Sequence, residues 1–250
     1  MFRALPRFCA ASCFIAFALI AVTADANTIF EGEILQDTTW TLENSPYILR
    51  GDVVVPSGVT LTIEAGVEVR FYDTDQAHID SLSDTFRVWI DVQGSLDIQG
   101  REGLAVRFRS ILDSPSNIPT GGTGDGYWGG IAMGDGAAVD INWLESTHGH
   151  YLVRVGDVES ATVNVRNSTL SAHRNGIVVD SGSSGGRSVD IRNTRIRDSA
   201  CGHSIFLRGA QTAVVEDVLL YRTSRCTYNR VGYGGHGLLM YDDGHVATMD

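Results

Sequence analysis

Alternating apolar and polar residues predict short β-strands along most of the chain. In SPYILRGDVVVPSGVTLTIEAGVEVRF, residues 45–71, the alternation is interrupted only at short segments that contain Gly51, Gly58 and Gly66. A period of two is typical of a strand with one buried side, and glycine permits a tight change of direction. We therefore expect corners at these glycines, and the inward side chains to be Val53, Val55, Leu61, Ile63, Val67 and Val69.

The chain also repeats itself at a nearly constant interval. VNVRNSTL at 163–170 matches VDIRNTRI at 189–196 with an offset of 26, and AVVEDVLL at 213–220 follows with an offset of 24. VDINW at 139–143 precedes the first of these, again with an offset of 24. A second predicted strand repeats as GIVV, SIFL and GLLM, which begin at residues 176, 204 and 237.

Periods near 25, with alternation inside each unit, predict a β-solenoid of roughly eight coils of 24–26 residues over residues 45–250. Each strand would pair in parallel with its equivalent one coil later, about 4.8 Å away. A β-sandwich is the alternative fold, but it does not predict a fixed offset.

One corner position recurs in register along the predicted coils. It holds Trp143, Asn167, Asn193, Asp217 and Asp250 in turn. Asparagine accepts a left-handed backbone, and its amide can bond to neighbouring coils, so a ladder through Asn167, Asn193 and Asp217 is expected. The alternative is that asparagine simply favours turns.

The N-terminal segment, at 1–26, reads as a signal peptide. Arg3 and Arg7 precede an apolar run at 10–22, and the small residues at 24 and 26 fit a cleavage site. The run is shorter than the roughly 20 residues that span a bilayer, so no transmembrane anchor is expected. We expect an exported protein, periplasmic, extracellular or at the cell surface, with residues 27–44, including Trp40, as an N-terminal cap.

The net charge of the chain excludes some classes of partner. All 19 basic residues are arginine, which excludes chemistry that needs lysine. Without residues 1–26 the chain carries 17 arginines against 29 acids, a net charge of −12. Nucleic acids and anionic membranes select basic surfaces, so neither is an expected partner.

The stretch at 45–71, together with LDIQGREGLAVRFRS and YWGGIAM, resembles bacterial exported right-handed parallel β-helix proteins of the pectin-lyase-like superfold. The resemblance covers most of the chain after residue 26. It implies an all-β, right-handed parallel β-helix that interacts with extracellular or cell-envelope polysaccharide. The superfold also hosts lyases, glycosidases and adhesins, so a polysaccharide lyase or glycoside hydrolase acting on acidic glycans and a structural or adhesive surface module are the alternatives.

Inserted loops are expected near residues 72–86, 112–127 and 223–235. The first loop carries four carboxylates that could hold calcium, namely Asp73, Asp75, Asp80 and Asp84. Calcium is the one cofactor that the sequence suggests. A solvated acidic loop is the alternative. No other cofactor is expected.

Candidate catalytic residues come from two equivalent predicted strands. His203 precedes one strand and His236 precedes the next, so the two would stack about 5 Å apart. With Arg208 and Asp242 they could act in acid–base chemistry or bind a metal. The alternative is a polar corner residue repeated by duplication.

Two cysteines follow residue 26, and they lie one coil apart. Cys201 and Cys226 are separated by an offset of 25. Oxidising conditions after export and stacked coils favour a disulfide between them, whereas two free thiols are the alternative.

Aromatic residues are the candidate ligand contacts. Tyr127, Trp128 and Trp143 could stack on sugars, as could Trp89, although core packing is the alternative for a tryptophan. The sequence stops as a new coil begins, so further coils in a longer protein, or another chain, are expected at that edge.

Overall fold

The computed structural model describes residues 27–72, 87–111, 127–182, 185–198, 202–221, 237–241 and 247–249. Within these residues the protein is almost entirely β, with 22 strands and one 3-10 turn at Leu42–Asn44. All strand pairs are parallel, apart from one isolated antiparallel bridge in a turn. The structure confirms the predicted parallel β-helix.

The strands form three faces, which the chain visits in turn in every coil. Two strands, β1 (Thr28–Glu33) and β3 (Tyr47–Val55), run along both face 1 and face 2. Face 1 continues with β5 (Glu68–Phe71), β8 (Val106–Ser110), β11 (Leu144–Thr147), β14 (Thr169–Ser171), β17 (Arg195–Arg197) and β20 (Leu219–Tyr221). Face 2 continues with β6 (Trp89–Val92), β9 (Gly130–Met133), β12 (Val153–Val155), β15 (Ile177–Asp180), β18 (Ile205–Arg208) and β21 (Leu238–Tyr241). Face 3 contains β2 (Thr38–Trp40), β4 (Thr60–Glu64), β7 (Ser95–Gln99), β10 (Ala137–Asn142), β13 (Ser160–Arg166), β16 (Gly186–Arg192), β19 (Thr212–Glu216) and β22 (Ala247–Met249).

Hydrogen bonds join these faces into two sheets. Faces 1 and 2 form one 14-stranded sheet because β3 pairs with β5 through its first half and with β6 through its second half. Face 3 is a separate sheet of eight strands. The described strands therefore form eight coils, one of which comes from residues 27–44, so seven lie within residues 45–250, where roughly eight were predicted.

Strand register confirms the repeats read from the sequence. Val163 lies opposite Val139 on one side and opposite Val189 on the other, at offsets of 24 and 26. On face 2, Ile205 lies opposite Ile177 and Leu238. Each strand therefore bonds to its equivalent in the next coil instead of to its neighbour in sequence.

The core is the apolar interior of the coil. Alternate side chains of each strand point inward, and the six inward residues predicted between Val53 and Val69 are all fully buried. The same pattern continues in stacks such as Ile63, Ile98, Ile141, Val165 and Ile191. Burying each such side chain stabilises the fold by about 1.5–3 kcal/mol, and this drives coil formation.

Two of the three predicted glycine corners have the expected left-handed backbone. Gly58 and Gly66 have φ angles of 80° and 82°. Gly51 lies inside β3 and does not share this conformation, because the chain there passes from face 1 to face 2 while it remains extended. A Cβ at Gly51 would lie 3.4 Å from Cβ of Glu31, so glycine allows the neighbouring coil to approach.

Residues 27–44, the predicted cap, form the first coil. Within them β1 pairs with β3, and β2 pairs with β4. Trp40 is buried, and its ring stacks on Tyr47 with the ring centroids 4.7 Å apart. The segment therefore extends the apolar interior with a large aromatic side chain.

Candidate functional site

One corner of the coil, between face 3 and face 1, carries an unusual backbone conformation in four successive coils. Trp143, Asn167, Asn193 and Asp217 have φ angles of 53°, 52°, 46° and 52°. In the first three, the backbone N–H donates to the carbonyl that ends the face 3 strand of the next coil, at 3.1–3.2 Å. Four of the five predicted corner residues therefore occupy equivalent positions, and the fifth, Asp250, lies outside the described residues.

Side-chain amides connect two of these corners, Asn167 and Asn193, and the neighbouring Asn142 into a ladder, whereas the predicted member Asp217 makes no side-chain bond to it among the described residues. The Nδ2 of Asn193 donates to Oδ1 of Asn167 at 2.6 Å, and the Nδ2 of Asn167 donates to Oδ1 of Asn142 at 2.8 Å. Asn142, which sequence reasoning missed, replaces Trp143 in the side-chain ladder because an indole offers no hydrogen-bond acceptor. In the sequence, Asn142 directly precedes the corner residue Trp143, and this adjacency could have identified it.

Trp143 is the exception in this column. Asparagine and aspartate adopt left-handed backbone readily, whereas a bulky side chain there costs about 1–3 kcal/mol. The preceding coil accommodates this corner with Gly100, where a Cβ would lie 2.1 Å from the Trp143 carbonyl oxygen. Strain of this kind clusters at functional sites in proteins, although His148 and Ala172 have a similar φ at another corner of the coil.

A pocket opens beside this corner. Its volume is ≈ 270 Å³, and it extends over coils that contribute β10, β11, β14 and β17. This volume is just below the roughly 300–1,000 Å³ of sites for drug-sized ligands, so it suits one small polar unit. The lining residues are Ala105, Trp143, Leu144, Glu145, Asn167, Ser168, Thr169, Asn193 and Arg195.

The pocket combines three kinds of polar group in register. Glu145 lies opposite Thr169, and Thr169 lies opposite Arg195, on successive strands of face 1. Two strand spacings separate the carboxylate residue from the guanidinium residue, about 10 Å. Sequence reasoning missed all three residues, although the overlay of the repeats places them in one row.

Neighbouring groups hold parts of this lining in place. The Oε2 of Glu145 lies 3.5 Å from Nε of Arg107. The Oγ of Ser168 donates to the Arg166 carbonyl and accepts from the backbone N–H of Leu144. Arg195 makes no ion pair within the described part of the chain and remains exposed. The pocket thus offers a carboxylate acceptor, a guanidinium donor and amide groups beside one half-buried indole.

The other two predicted ligand aromatics lie elsewhere. Trp128 is fully buried, with its ring stacked on Phe71 at 4.0 Å and its Nε1 donating to the Thr147 carbonyl. Its ring cannot reach a ligand, which agrees with the core-packing alternative. Tyr127 lies half-buried between face 1 and face 2, with its ring 5.5 Å from His148. Of the three, Trp143 alone lines the pocket.

A second aromatic cluster lies on face 2. The rings of Trp89 and Tyr151 are 5.9 Å apart, and Arg154 lies over the Tyr151 ring at 5.4 Å. Gly129 between them leaves room, because a Cβ there would lie 2.2 Å from the Trp89 ring. In the sequence, the two adjacent glycines of YWGGI indicate this close packing. Sequence reasoning did not identify Tyr151.

The described members of the predicted catalytic group do not form a compact site. His203 stacks on Phe206 at 5.0 Å, while Arg208 forms an ion pair with Asp180. His203 lies two residues before β18 and Arg208 is its last residue, so an extended chain separates them by about 16 Å. His236 and Asp242 lie outside the described residues.

A buried Ser–His contact occurs inside the coil. The Oγ of Ser146 lies 3.0 Å from Nε2 of His173, and both residues are buried. His148 and His150 are also buried nearby in sequence. Because solvent does not reach these groups, they belong to the interior of the coil.

Several predictions fall outside the described residues. These are the signal peptide at 1–26, the disulfide between Cys201 and Cys226, the calcium candidates Asp73, Asp75, Asp80 and Asp84, and most of the inserted loops. Among the residues that are described, no three histidine, cysteine, aspartate or glutamate side chains are grouped so that they could hold a metal. The same residues include no helix with the length and apolarity needed to cross a membrane.

The geometry defines this protein as a parallel β-helix with a polar corner pocket. Comparison with protein-family models, curated proteins and solved structures finds no match to the chain. The function must therefore be argued from the pocket itself.

Proposed function

We propose that this protein is an exported carbohydrate-binding β-helix, and that the corner pocket holds one sugar unit of a polysaccharide. The observation that carries the proposal is Trp143, which occupies a left-handed corner that later coils fill with asparagine or aspartate. The fold tolerates a strained backbone at Trp143, whose indole lies beside a pocket of ≈ 270 Å³. A flat aromatic ring next to polar groups suits a sugar, which has an apolar face and a rim of hydroxyls.

Each lining group has a role in this proposal. The Trp143 ring packs against the apolar face of the sugar. Glu145 accepts hydrogen bonds from hydroxyls, and Arg195 donates them from the opposite wall. The ladder amides of Asn167 and Asn193 lie at the same corner and limit which hydroxyl arrangements fit.

The lining favours binding over hydrolysis. Glycoside hydrolysis commonly needs two carboxyl groups about 5–9.5 Å apart. Among the described residues that line the pocket, Glu145 is the one carboxylate. A lyase or glycosidase therefore finds no support in the described pocket.

The test is the substitution Trp143→Asn. It removes the indole and restores the residue type that the column uses, so the strain should be relieved and stability should rise by about 1 kcal/mol. A glycan array with the unchanged protein selects the ligand, and calorimetric titration then compares the two proteins. We expect affinity to fall at least tenfold, while the midpoint of thermal unfolding does not decrease.

Trp89→Phe is the matched control, because it changes an aromatic residue on face 2 and should leave affinity unchanged. Unaltered binding by the Trp143→Asn protein would refute the pocket. Absence of binding to every glycan would instead favour a structural or adhesive module.

A further inference from the structure

The outward side chains of face 1 concentrate positive charge on an acidic protein. From β5 to β17 the outward positions hold five arginines and two glutamates, an excess of three positive charges. The whole chain has a formal net charge of −11. The arginines are Arg70, Arg107, Arg109, Arg195 and Arg197, and the acids are Glu68 and Glu145. We call this surface the arginine face.

Part of this charge has no carboxylate partner within the part of the chain that the structure describes. Arg70 pairs with Glu68 at 2.5 Å, and Arg107 lies 3.5 Å from Glu145. Arg109, Arg195 and Arg197 make no ion pair with any described residue. Arg195 and Arg197 are exposed, whereas Arg109 is half-buried and its Nε is shielded from solvent. The exposed guanidinium groups are available to an external anion.

Register places two of the arginines against each other. Arg70 lies directly opposite Arg109 on the neighbouring strand. Like charges in opposite positions of a sheet are unfavourable. An anion bound between the two side chains would relieve this repulsion.

Hydroxyl side chains connect the two groups of arginines. Along one row, Arg109 is followed on the next strands by Thr147, Ser171 and Arg197. From β5 to β17 this row crosses four strand spacings, about 19 Å. A polymer that lies along the coil axis would therefore meet a positive or hydroxyl group on every strand.

We propose that the arginine face binds an anionic polysaccharide that carries carboxylate or sulfate groups, and that the polymer continues from the corner pocket. The inference rests on the proposed function, and it specifies the chemical class of the glycan. Arginine suits this role because its planar guanidinium can bond bidentately to such groups. Arg195 belongs both to the pocket and to this face, so it links the two surfaces.

A polysaccharide fits the face better than duplex DNA. DNA carries one charge per about 1.7 Å of its axis and is usually held by a surface rich in basic residues. Here the arginine face has two short rows with an excess of three positive charges, on a chain whose net charge is −11. A polymer with more widely spaced charges experiences less repulsion from the remaining surface.

The experiment uses the double variant Arg109→Gln with Arg197→Gln, since neither residue lines the pocket. The matched control is Arg166→Gln with Arg192→Gln, which removes the same charge from face 3. Calorimetry with heparin, polygalacturonate and neutral dextran, at about 50 and 200 mM NaCl, measures affinity and its dependence on salt.

We expect at least one anionic polymer to bind about tenfold more tightly than dextran at low salt. The face 1 variant should lose most of that difference and show a shallower salt dependence, whereas the face 3 variant should retain both. Arg109→Lys with Arg197→Lys keeps the charge and should keep the salt dependence. Equal thermal midpoints would show that the variants are folded.

Contrary outcomes are distinguishable. If anionic and neutral glycans bind equally and the face 1 variant has no effect, the inference is overturned, while Trp143-dependent binding would leave the proposed function intact. Competition by duplex DNA as strong as by heparin would also overturn it. If no glycan binds at all, both proposals fail.

Discussion

Face 1 and face 3 use arginine in opposite ways on the same scaffold. On face 3, Arg166 lies between Asp140 at 3.6 Å and Asp190 at 3.1 Å. Arg192 in turn pairs with Asp190 and Glu216. On face 1, three arginines have no such partner among the described residues. The residue type alone therefore does not determine whether an arginine supports the fold or is available for binding. Arg166 lies directly opposite Arg192, so the residue opposite does not make the difference. Carboxylates at diagonal positions of the neighbouring coils, Asp140 and Asp190, compensate Arg166.

The pKa of Arg192 reflects its carboxylate partners on face 3. Its pKa is raised, first by the hydrogen bond and charge of Asp190 and then by Glu216. Such exposed ion pairs add little to stability, and their attraction weakens with salt. The face 3 ion pairs therefore add little to the free energy of unfolding, and one of their effects is to neutralise the positive charge of that surface.

The largest expected effect comes from the core that both faces share. Ile141 is fully buried behind face 3 and lies opposite Ile98 and Val165. Ile141→Ala should lower the free energy of unfolding by about 2–5 kcal/mol, because it removes buried methyl groups and leaves a cavity. Chemical denaturation measures this change.

Ile141→Val is the graded control, with an expected loss of about 0.5–1.5 kcal/mol. A loss for Ile141→Ala below that of Ile141→Val would contradict the assignment of Ile141 to the packed interior.

A smaller effect is expected at the corner where face 3 meets face 1. Gly100→Ala places a Cβ 2.1 Å from the Trp143 carbonyl oxygen, so the backbone must shift. We expect a loss of about 1–3 kcal/mol and weaker glycan binding at the pocket. Thermal unfolding and calorimetry measure the two effects.

Gly156→Ala is the matched control, because a Cβ there meets nothing within 4 Å. Equal stability of the Gly100→Ala protein and this control would show that the corner does not require glycine.

The smallest change in stability should come from an attempt to convert face 3 into a surface like face 1. Asp190→Asn removes the shared carboxylate of Arg166 and Arg192, and stability should hardly change because exposed ion pairs contribute little. Arg166 keeps Asp140 and Arg192 keeps Glu216 as a partner, so the loss of one of two carboxylates for each arginine should give face 3 a weak affinity for heparin. Binding is measured in the protein that already carries Arg109→Gln and Arg197→Gln, so that face 1 does not contribute.

Asp97→Asn is the control, since Asp97 accepts from Gln99 and forms no ion pair within the described residues. If both asparagine variants bind heparin equally, net charge would explain the result, and the comparison between faces would fail.

Much of the fold could be predicted because core residues repeat in sequence. The offsets around Val163 and the alternation from Val53 to Val69 both correspond to strand register and burial in the structure. Gly51 was assigned to a corner, and the chain does pass there from face 1 to face 2, but as an extended strand without a positive φ. Apolar periodicity does not distinguish these two kinds of corner.

The pocket and the arginine face were much harder to predict. Arg70 and Arg109 lie opposite each other although they are far more than one period apart in sequence, because a long insertion interrupts that coil. A fixed offset near 25 therefore misses the contact. Outward residues also follow no hydrophobic period, so Glu145 and Arg195 have no signal until the strands are aligned. Trp143 was identified as an aromatic candidate, but its strained backbone is visible only in the structure.

The asparagine ladder also bears on how such a protein can evolve. Since Asn167 and Asn193 occupy equivalent corners one coil apart and are joined side chain to side chain, duplication of the chain between them would insert a whole coil without disturbing the packing of those on either side. Each insertion would lengthen the outer surface by one strand spacing, about 4.8 Å. The length of polymer that the protein can accommodate is therefore adjustable by gene duplication alone, one coil at a time.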